Sequence, residues 1–428
     1  MSNLHAESNS NKIDVSPLRI LISSFACGPN WGSEVGMGWH WVMHLAAHCK
    51  LTVITEKGFQ QEIEKALLSL HLNYVPEFRF IDIGEKGREL FWKQGSILFY
   101  SHYNKWQKDA YILAEQLMSE NKYDLVHQLN LIGFREPGYL WKLSHKKPFV
   151  WGPVGGFSQV PFKFLPQLSP KNKLFYGGKN VLHYLQVHFH SRVKKAFKNS
   201  RLVFAESSTT KNVVKKVYNI DAVLMNETGG NYNEFYAHES FCKDNTMHLL
   251  WVGKIQGLKA LPIAIQAVNK LKSKFSVKMS VVGDGPDEAE CKNLVIELGL
   301  EKEITFTGKI LNTQVIEMMR EYDLLFFTSL KEGTPHVVLE ALSNGLPVLC
   351  HDACGHGDIV DETCGMKIPL FSYQKSIDQF AEKIEFLFLN QDKFKIFTEG
   401  AKECVKRNSW EYKAQSMVDY YHKVIDFN

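Results

Sequence analysis

The stretch that decides the fold of this chain runs Glu332-Gly333-Thr334-Pro335-His336-Val337-Val338-Leu339-Glu340. It follows an apolar run, Asp323 to Phe327, that predicts a buried strand. Thr334 can then cap a helix whose first position is Pro335, and Gly345 can end that helix. We therefore expect a strand, a loop and a helix, with a carboxylate on each side of the helix start.

The start of this helix is suited to an anion. Unpaired N–H groups around residues 336–338 and the positive end of the helix dipole can receive a phosphate. Ionised Glu332 and Glu340 only accept hydrogen bonds, so they can hold sugar hydroxyls on either side of that phosphate. The alternative interpretation is that Glu332 merely favours the dipole and Glu340 lies on a solvated face. The spacing alone favours neither interpretation.

Length and composition are those of an ordinary globular protein. The chain has 428 residues, 45% of them apolar and 22% charged, which is enough for two domains with sizeable cores. No window of about 18 apolar residues predicts a membrane span. Residues 1–17 are polar, which predicts a frayed tail rather than a signal peptide, and we expect a cytoplasmic protein. The net charge of +4 without a recognition motif argues against a nucleic-acid partner.

The cysteines predict neither disulfides nor a metal site. The eight cysteines are scattered, without the dense spacing of a secreted disulfide framework, as in a reduced cytosolic enzyme. One cluster, Cys350, His351, Cys354, His356 and Cys364, contains zinc-ligand residue types. Its spacing matches no standard finger pattern and it directly follows a predicted strand. We therefore expect a loop that lines a ligand site, and no metal.

Short buried strands alternate with helical patterns in two series, which predicts two parallel sheets covered by helices. The first series is 18–23, 51–54, 78–83, 125–127, 148–151 and 202–205; the second is 248–252, 278–282, 304–306, 323–327 and 347–350. The polar segment 229–245 between them, with paired glycines, is typical of a linker. Two Rossmann-like domains joined near residues 230–246 are the simplest interpretation.

Conspicuous residues follow several of these strands, where ligands bind in such sheets. A glycine-rich turn, residues 28–38, leads from the first strand into a helix, and its glycines could let N–H groups approach a phosphate or simply form a tight turn. Gly253, Lys254 and Lys259 follow a strand of the second series and can meet a diphosphate, or can form an exposed charged loop. The turn at residues 283–286 is interpreted as structural.

Together these segments resemble the retaining GT-B glycosyltransferases of family GT4, the glycosyl transferases group 1. The match runs in order through the first glycine turn, the 253–259 loop, the Gly283-Asp284-Gly285-Pro286 turn and the two-glutamate stretch running into residues 344–348. The resemblance covers most of residues 18–428. It implies an α/β protein of GT-B fold, with two Rossmann-like domains facing a central cleft and a C-terminal helix crossing back to the N-terminal domain.

The implied domains are a disordered tail at 1–17, an acceptor domain at 18–235, a nucleotide-sugar donor domain at 236–408 and a returning helix at 409–428. In this resemblance Glu332 would hold donor-sugar hydroxyls, Glu340 would bind the ribose, and Lys254 and Lys259 would neutralise the leaving diphosphate. His127 would be catalytic, facing donor and acceptor across the cleft. The further donor-binding positions that it implies are Gly32, Gly253, Lys309, Ile310, Gly333, Thr334, Pro335, His336, Val337 and Val338.

The resemblance implies sugar transfer with retention from a nucleotide-diphosphate sugar, a UDP- or GDP-sugar, to a hydroxyl of a glycan or lipid-linked glycan. Stabilising the negative charge on the leaving diphosphate should dominate, which two lysines and a helix N-terminus can do without a metal or other cofactor. The chain departs from the family pattern at Lys254, usually Arg, and at Ala260, usually Gly. Leu129 also replaces a second histidine that many members carry. Lysine keeps the charge but loses the bidentate fork.

The acceptor side has one feature that is independent of the family. Between Glu136 and Glu206 there is no Asp or Glu, but there are ten lysines and two arginines, and over residues 171–201 these alternate with apolar and aromatic residues. Such a segment can lie on an anionic membrane surface, which would place the protein at the cytoplasmic face and present it to a lipid-linked acceptor. An ordinary helix with a basic solvated face explains it equally well.

Two other classes of function stay open. One is a different GT-B-shaped enzyme, a sugar-nucleotide epimerase or a phosphorylase, which donor hydrolysis or phosphate dependence would distinguish. The other is a non-catalytic sugar-nucleotide binding subunit. The presence of both glutamates and both lysines argues against that last class.

Overall fold

The computed structural model describes residues 16–93, 96–131, 133–167, 170–230, 235–238, 241–333 and 335–426. The N-terminal part forms a parallel sheet in the order β3-β2-β1-β4-β5-β6-β7. Its strands are β1 Arg19–Ser24, β2 Lys50–Glu56, β3 Glu77–Ile81, β4 Leu125–Asn130, β5 Phe149–Val154, β6 Leu202–Ala205 and β7 Val223–Leu224. Its helices are α1 Ser33–Leu45, α2 Gln60–Leu67, α3 Glu85–Trp92, α4 Phe99–Glu120, α5 Pro170–Phe189, α6 Ser191–Asn199 and α7 Ser208–Tyr218.

The C-terminal part forms a second parallel sheet in the order β10-β9-β8-β11-β12-β13. Its strands are β8 Thr246–Val252, β9 Ser276–Val282, β10 Ile304–Gly308, β11 Leu324–Phe327, β12 Val348–His351 and β13 Gly365–Ile368. Its helices are α8 Leu261–Leu271, α9 Glu288–Glu297, α10 Asn312–Met319, α11 His336–Ser343, α12 Cys354–Ile359, α13 Tyr373–Leu389 and α14 Asp392–Arg407, followed by α15 Trp410–Asp426.

The continuous apolar runs form the central strands because these strands are covered by helices on both faces. Every residue of β4 and of β11 is buried, and β1 is buried after its first residue. The predicted strands all form, whereas β7 and β13 were not predicted. β7 has two residues and β13 carries partly exposed Met366 and Lys367, so neither gives an apolar run.

The order of the strands fixes where a ligand can bind. In each sheet the chain order reverses once, between β1 and β4 in the first sheet and between β8 and β11 in the second. Ligands of such sheets bind beyond the carboxyl ends of the strands at this reversal. The starts of α1 and α11, and the loop after β8, therefore lie where two facing domains would enclose a ligand.

The last helix returns to the N-terminal domain, as predicted. The indole of Trp410 stacks on His40 of α1 at 5.0 Å between ring centroids, and Gly230 pairs with Ser409. Farther along α15, the Tyr421 hydroxyl reaches His127 of β4 at 2.7 Å. The two predicted domains and the returning helix are confirmed, while the predicted boundaries at 235 and 408 stay predictions. The predicted tail at 1–17 lies almost wholly outside the described residues.

Further contacts join the two domains. Phe164, in a 3₁₀ turn of the N-terminal part, is fully buried in the core of the C-terminal domain, with its ring 6.2 Å from that of His351. Nearby, the Ser208 N–H donates to Asp358 of α12 at 2.7 Å. In the described part of the chain, no helix combines the length and the apolar character that crossing a membrane requires.

Candidate functional site

A cavity of about 390 Å³ lies between the two domains at the carboxyl ends of their strands. From the N-terminal side it is lined by the start of α1 and by the segment after β7; from the C-terminal side by the loop after β8 and by the start of α11. Its lining residues are Ser33, Glu34, Met37, Glu227, Thr228, Val252, Gly253, Lys259, Glu332, Gly333, Pro335, His336 and Val337. Pockets of this size hold small organic ligands.

The helix start that the sequence predicts is present, one residue later than expected. Pro335 has φ −73° and ψ 120°, which is extended, so it precedes the helix and His336 is the first helical residue. The prediction that Pro335 occupies the first helical position is therefore wrong. Gly345 follows the helix with φ +67°, as predicted for the residue that ends it. The predicted cap and phosphate contact Thr334 lies outside the described residues.

Lys259 and Glu332 meet as an ion pair in the cavity. The ammonium of Lys259 contacts Oε1 of Glu332, and the Ser329 hydroxyl donates to the same oxygen at 2.8 Å. The two side chains keep 18% and 19% of their surface exposed, so a ligand in the cavity can reach both. The sequence assigned the two residues to different parts of one ligand, and the fold brings them into direct contact.

Glu340 lies one helical turn farther along α11, outside the residues that line the cavity. Its Oε1 accepts a hydrogen bond of 3.4 Å from the Asn312 amide at the start of α10. Burial raises the pKa of Glu340 above its usual range. The carboxylate is therefore partly enclosed rather than fully solvated, which argues against the interpretation as an ordinary surface residue.

Four further predicted donor contacts lie elsewhere in the structure. Lys254 and Lys309 are exposed, and Ile310 packs against the core beneath α11. Gly32 is the residue before α1; its backbone is extended, and a Cβ placed on it would meet no atom within 4 Å. None of these four lines the cavity, whereas the neighbouring Ser33 and Glu34 do.

The glycine turns support this arrangement by close packing. A Cβ on Gly283 would stand 2.0 Å from the carbonyl oxygen of Gly253, and Gly283 has φ +127°, so only glycine fits there. The Ile255 N–H donates to the Asp284 carbonyl at 2.7 Å. The structural interpretation of the turn at 283–286 agrees with these contacts, because the turn supports the loop that carries Lys259.

The first glycine turn is also packed rather than open. A Cβ on Gly36 would stand 1.9 Å from the Trp31 carbonyl oxygen, and one on Gly38 would stand 2.1 Å from the Ala26 carbonyl oxygen. These two glycines therefore serve the close approach of α1 to the preceding loop. Of the two interpretations that the sequence left open, the tight turn is the one these contacts favour.

Hydrogen bonds connect the start of α11 to the last helix through Thr228. His336 Nδ1 lies 3.0 Å from the Thr228 hydroxyl, and the ammonium of Lys413 in α15 donates to the Thr228 carbonyl at 2.5 Å. Burial lowers the pKa of Lys413 to about 7. Thr228, in the segment between the sheets, is thus held on one side by the first residue of α11 and on the other by α15. No pattern in the sequence indicated this place for Lys413.

Comparison with known proteins identifies the C-terminal part of the chain. Residues 234–404 match the family model described as glycosyl transferases group 1. This segment of the chain is therefore similar to the group 1 glycosyltransferases. It is 31% identical over 158 residues to the lipopolysaccharide glucosyltransferase WaaG of Escherichia coli, covering 36% of this chain and 41% of WaaG. It is 22% identical over 180 residues to the uncharacterized glycosyltransferase MJ1607 of Methanocaldococcus jannaschii, covering 42% and 45%. The chain thus spans about half the length of the curated relatives it matches.

Solved structures extend the similarity of fold to both domains. A glycosyltransferase from Rickettsia africae has a TM-score of 0.61 at 16% identity, covering 96% of this chain and 99% of that one. Anabaena HepE, solved with UDP and glucose, has a TM-score of 0.55 at 16% identity, covering 95% and 100%. The GT-B fold is confirmed by these neighbours.

The surroundings of His127 argue against the predicted catalytic role, which stays a prediction. The imidazole has no exposed surface and makes two hydrogen bonds, from Nε2 to the Gly152 carbonyl at 2.7 Å and from Nδ1 to the Tyr421 hydroxyl at 2.7 Å. The carbonyl only accepts, so Nε2 carries the proton and Nδ1 accepts from the tyrosine. Burial lowers the pKa of His127 to about 4, so the ring is neutral. His127 therefore joins β4 to α15, and it is not among the residues that line the cavity.

The cluster of cysteines and histidines at residues 350–364 is enclosed in protein. His351 Nε2 bonds to the Ser376 hydroxyl at 2.9 Å, and the His356 ring packs 5.2 Å from that of Phe327. All eight cysteines are buried free thiols. Among the described residues no group of three or more His, Cys, Asp or Glu side chains is arranged to hold a metal ion.

Sequence reasoning missed two acidic residues, Glu206 and Glu227, whose carboxylates lie near Gly333. Glu206 directly follows β6 and is 2% exposed; its Oε1 accepts from the Gly156 N–H and the Thr210 hydroxyl, each at 3.1 Å. Burial raises the pKa of Glu206 well above its usual range, and the charge of Glu227 raises it further. Its position at the end of a predicted strand was the available signal.

Proposed function

We propose that this chain transfers a sugar, with retention of anomeric configuration, from a nucleotide-diphosphate sugar to a hydroxyl of a glycan or lipid-linked glycan. The observation that carries the proposal is the Lys259–Glu332 ion pair in a cavity between two Rossmann-like domains, at the start of α11. The match of residues 234–404 to the group 1 glycosyltransferase model and the solved complex of HepE, a protein of similar fold, with UDP and glucose support it.

In this proposal the diphosphate lies between Lys259 and the first turn of α11. A cation and the positive end of a helix dipole both stabilise charge that grows on the leaving phosphate oxygen. Donor binding draws the Lys259 ammonium from Glu332 toward the phosphate, which releases the Glu332 carboxylate to accept sugar hydroxyls. The existing pair therefore holds both groups in place before the ligand arrives.

The bond changes follow from this placement. The bond between the anomeric carbon and the phosphate oxygen breaks, and its electron pair goes to the diphosphate. The acceptor oxygen bonds to the same carbon from the same face, and its proton passes to the departing phosphate oxygen. The residues of this chain neutralise the diphosphate and orient the sugar, without acting as a nucleophile.

We further propose that the outer face of α5 contacts an anionic membrane. Seven large apolar side chains of α5 are 47% to 81% exposed and fall within one half of the helix circumference: Leu174, Phe175, Val181, Leu182, Tyr184, Leu185 and Phe189. Exposed Lys173 and Lys179 lie on the same helix. A basic amphipathic helix of this kind gains roughly 1 kcal/mol per lysine near an anionic surface.

Vesicle co-sedimentation tests this contact. We expect binding to vesicles that contain phosphatidylglycerol, weaker binding to neutral phosphatidylcholine vesicles, and loss at high salt because the charge attraction is screened. Leu174→Glu should weaken binding severalfold. The matched control is Leu389→Glu, at a 72% exposed leucine of the C-terminal domain. Equal binding by both variants would refute the assignment of α5.

The proposed transfer is tested by incubating the protein with UDP- and GDP-sugars and measuring release of the nucleoside diphosphate, with and without glycan acceptors. We expect release with one nucleotide class, faster in the presence of an acceptor hydroxyl. Release that depends on inorganic phosphate, or conversion of the donor to an epimer, would contradict the proposal.

A further inference from the structure

Two indole rings form an exposed stack close to the cavity of the proposed site. Trp31 lies in the turn before α1, and Trp92 is the last residue of α3. Their ring centroids are 4.8 Å apart and their planes differ by 23°. The two side chains are 40% and 52% exposed. Contiguous exposed apolar surface of this kind marks a place where a ligand or a partner binds.

The stack is held in place by the residues around it. The Trp31 indole N–H donates to Oε2 of Glu62 in α2 at 2.5 Å, which fixes the plane of that ring. Trp92 packs against Phe91 at 4.8 Å between ring centroids, and Phe91 packs against buried Phe25 at 5.4 Å. The two rings are therefore presented in a fixed orientation, so little conformational entropy is lost when a ligand stacks on them.

A hollow of about 120 Å³ opens beside the stack. Its apolar walls include Phe25 and Phe59, and its polar groups include Glu62 and Arg88. At about 30 Å³ per water-sized group, the hollow has room for roughly four non-hydrogen atoms. It can therefore take one substituent of a ligand, while the ligand itself lies outside the hollow, on the exposed rings.

The stack adjoins the N-terminal wall of the cavity. Trp31 precedes Ser33 and Glu34, which line that cavity, and two residues span at most about 7 Å. A Cβ on Gly36 would stand 1.9 Å from the Trp31 carbonyl oxygen, so Trp31 is held against the start of α1. In the proposed function the diphosphate occupies the opposite wall, at Lys259 and α11. An acceptor then approaches along the N-terminal wall, beside the stack.

We propose that Trp31 and Trp92 bind a pyranose ring of the glycan acceptor, at a subsite beside the transfer cavity. This inference rests on the proposed function and deepens it by naming the part of the acceptor that the chain recognises. The face of an indole is electron-rich, so it attracts the weakly positive C–H groups on the face of a pyranose with equatorial substituents. Glu62 can accept hydrogen bonds from hydroxyls, and Arg88 can donate to hydroxyl oxygens.

The charges around the stack argue against other occupants. The α5 face proposed to contact a membrane has lysines and no carboxylate, whereas Glu62 and Glu56 border the stack and Asp82 accepts from Arg88 at 2.7 Å. Carboxylates at this place disfavour an anionic lipid surface. The core of an interface between protein chains is depleted of charged residues, but here a carboxylate bonds directly to one of the two rings. An uncharged ring with hydroxyls suits both the indole faces and these polar groups.

Cellotetraose is the probe, because its β-linked glucose units have only equatorial substituents and present C–H groups on both ring faces. It is titrated into the full-length protein, and binding is followed by ligand-observed NMR. We expect binding in the millimolar range that Trp31→Ala and Trp92→Ala each weaken at least fivefold. Trp92→Tyr keeps an aromatic face and should recover most of the affinity. The matched control is Phe386→Ala, at a 41% exposed aromatic side chain of α13 in the other domain, which should leave the affinity unchanged.

The inference is overturned if cellotetraose does not bind the unmodified protein at millimolar concentrations, or if Trp92→Ala binds it as tightly. Because Trp31→Ala could disturb the start of α1, a loss in that variant alone also counts against the inference. Analytical ultracentrifugation tests the other occupant. A dimer that Trp92→Ala dissociates would assign the stack to a contact between two copies of the chain, and would likewise overturn the inference.

Failure of the proposed function would look different. If cellotetraose binding requires Trp92 while no nucleotide sugar binds the unmodified protein, the donor proposal fails and the glycan subsite stands. If a nucleotide sugar binds and cellotetraose does not, the subsite fails alone.

Discussion

Replacement of Lys259 by alanine removes the cation that the donor diphosphate would meet. The ammonium contacts Glu332, and both side chains are about one-fifth exposed, so solvent screens their attraction. Ion pairs with this degree of exposure contribute roughly 1 kcal/mol or less to stability. The fold should therefore survive, and we expect the free energy of unfolding of Lys259→Ala to fall by no more than about 1 kcal/mol.

The effect on the reaction should be much larger. Removing one charged or hydrogen-bonding group aimed at a developing oxyanion costs roughly 2.7–4 kcal/mol, which is about a 10²- to 10³-fold loss of rate. Because Lys259 and the N-terminus of α11 both act on the diphosphate, the helix terminus still stabilises it in Lys259→Ala. We expect kcat/KM for nucleoside diphosphate release to fall by at least about 100-fold, with partial recovery in Lys259→Arg.

The assay compares the unmodified protein, Lys259→Ala, Lys259→Arg and Lys270→Ala under one set of conditions. Chemical denaturation measures stability, and release of nucleoside diphosphate from the donor measures activity. Lys270→Ala is the control, because Lys270 forms an exposed ion pair with Asp378 at 2.6 Å in the same domain. It should lose as little stability as Lys259→Ala and keep full activity. A Lys259→Ala protein that folds and retains kcat/KM within threefold of the unmodified protein would refute the diphosphate assignment.

Three further predictions concern pH, packing and the last helix. Burial raises the folded-state pKa of Glu206, so the free energy of unfolding should fall as pH rises from the ordinary carboxyl pKa, about 4.3, to the raised value, by up to roughly 1.4 kcal/mol per pH unit. Chemical denaturation across pH 5–9 should show that Glu206→Gln removes part of this loss. If stability changes with pH in the same way in both proteins, the raised pKa of Glu206 is contradicted. Gly283→Ala should lower stability by about 1–3 kcal/mol in thermal unfolding, since its Cβ would overlap the Gly253 carbonyl at φ +127°; an unchanged melting temperature would argue against this packing. Tyr421→Phe leaves His127 Nδ1 without its hydrogen-bond donor and should lower the free energy of unfolding by about 1–3 kcal/mol. The kcat of the folded protein should stay within about twofold of the unmodified protein. A large loss of kcat in protein that is still folded would support a role for His127 in the reaction.

The sequence predicted the parts of the fold that local pattern determines. Buried strands appear as apolar runs because helices cover both faces, and the positive φ of Gly345 and Gly283 requires glycine at those turns. The start of α11 was wrong by one residue because Pro335 suits both the extended residue before a helix and its first position. Sequence pattern does not distinguish these two conformations.

Contacts between distant segments could not be predicted in the same way. Tyr421 lies 294 residues from His127, and this hydrogen bond places the candidate catalytic histidine in a buried contact between β4 and α15. Glu206 follows β6 and Glu227 follows β7, and only the fold brings both carboxylates near Gly333 of the other domain. The roles of single residues therefore depend on which faces of the strands and helices meet, which the spacing of residues does not determine.

The central claim is that the cavity at Lys259 and Glu332 binds a nucleotide-diphosphate sugar, and ligand-induced protection against thermal unfolding tests it most directly. With a ligand at 100 times its dissociation constant, the folded state gains about 2.7 kcal/mol. We expect one nucleotide class of sugar donors to raise the melting temperature of the unmodified protein, and Lys259→Ala to lose most of that rise. No rise with any UDP- or GDP-sugar, or an equal rise in Lys259→Ala, would contradict the claim.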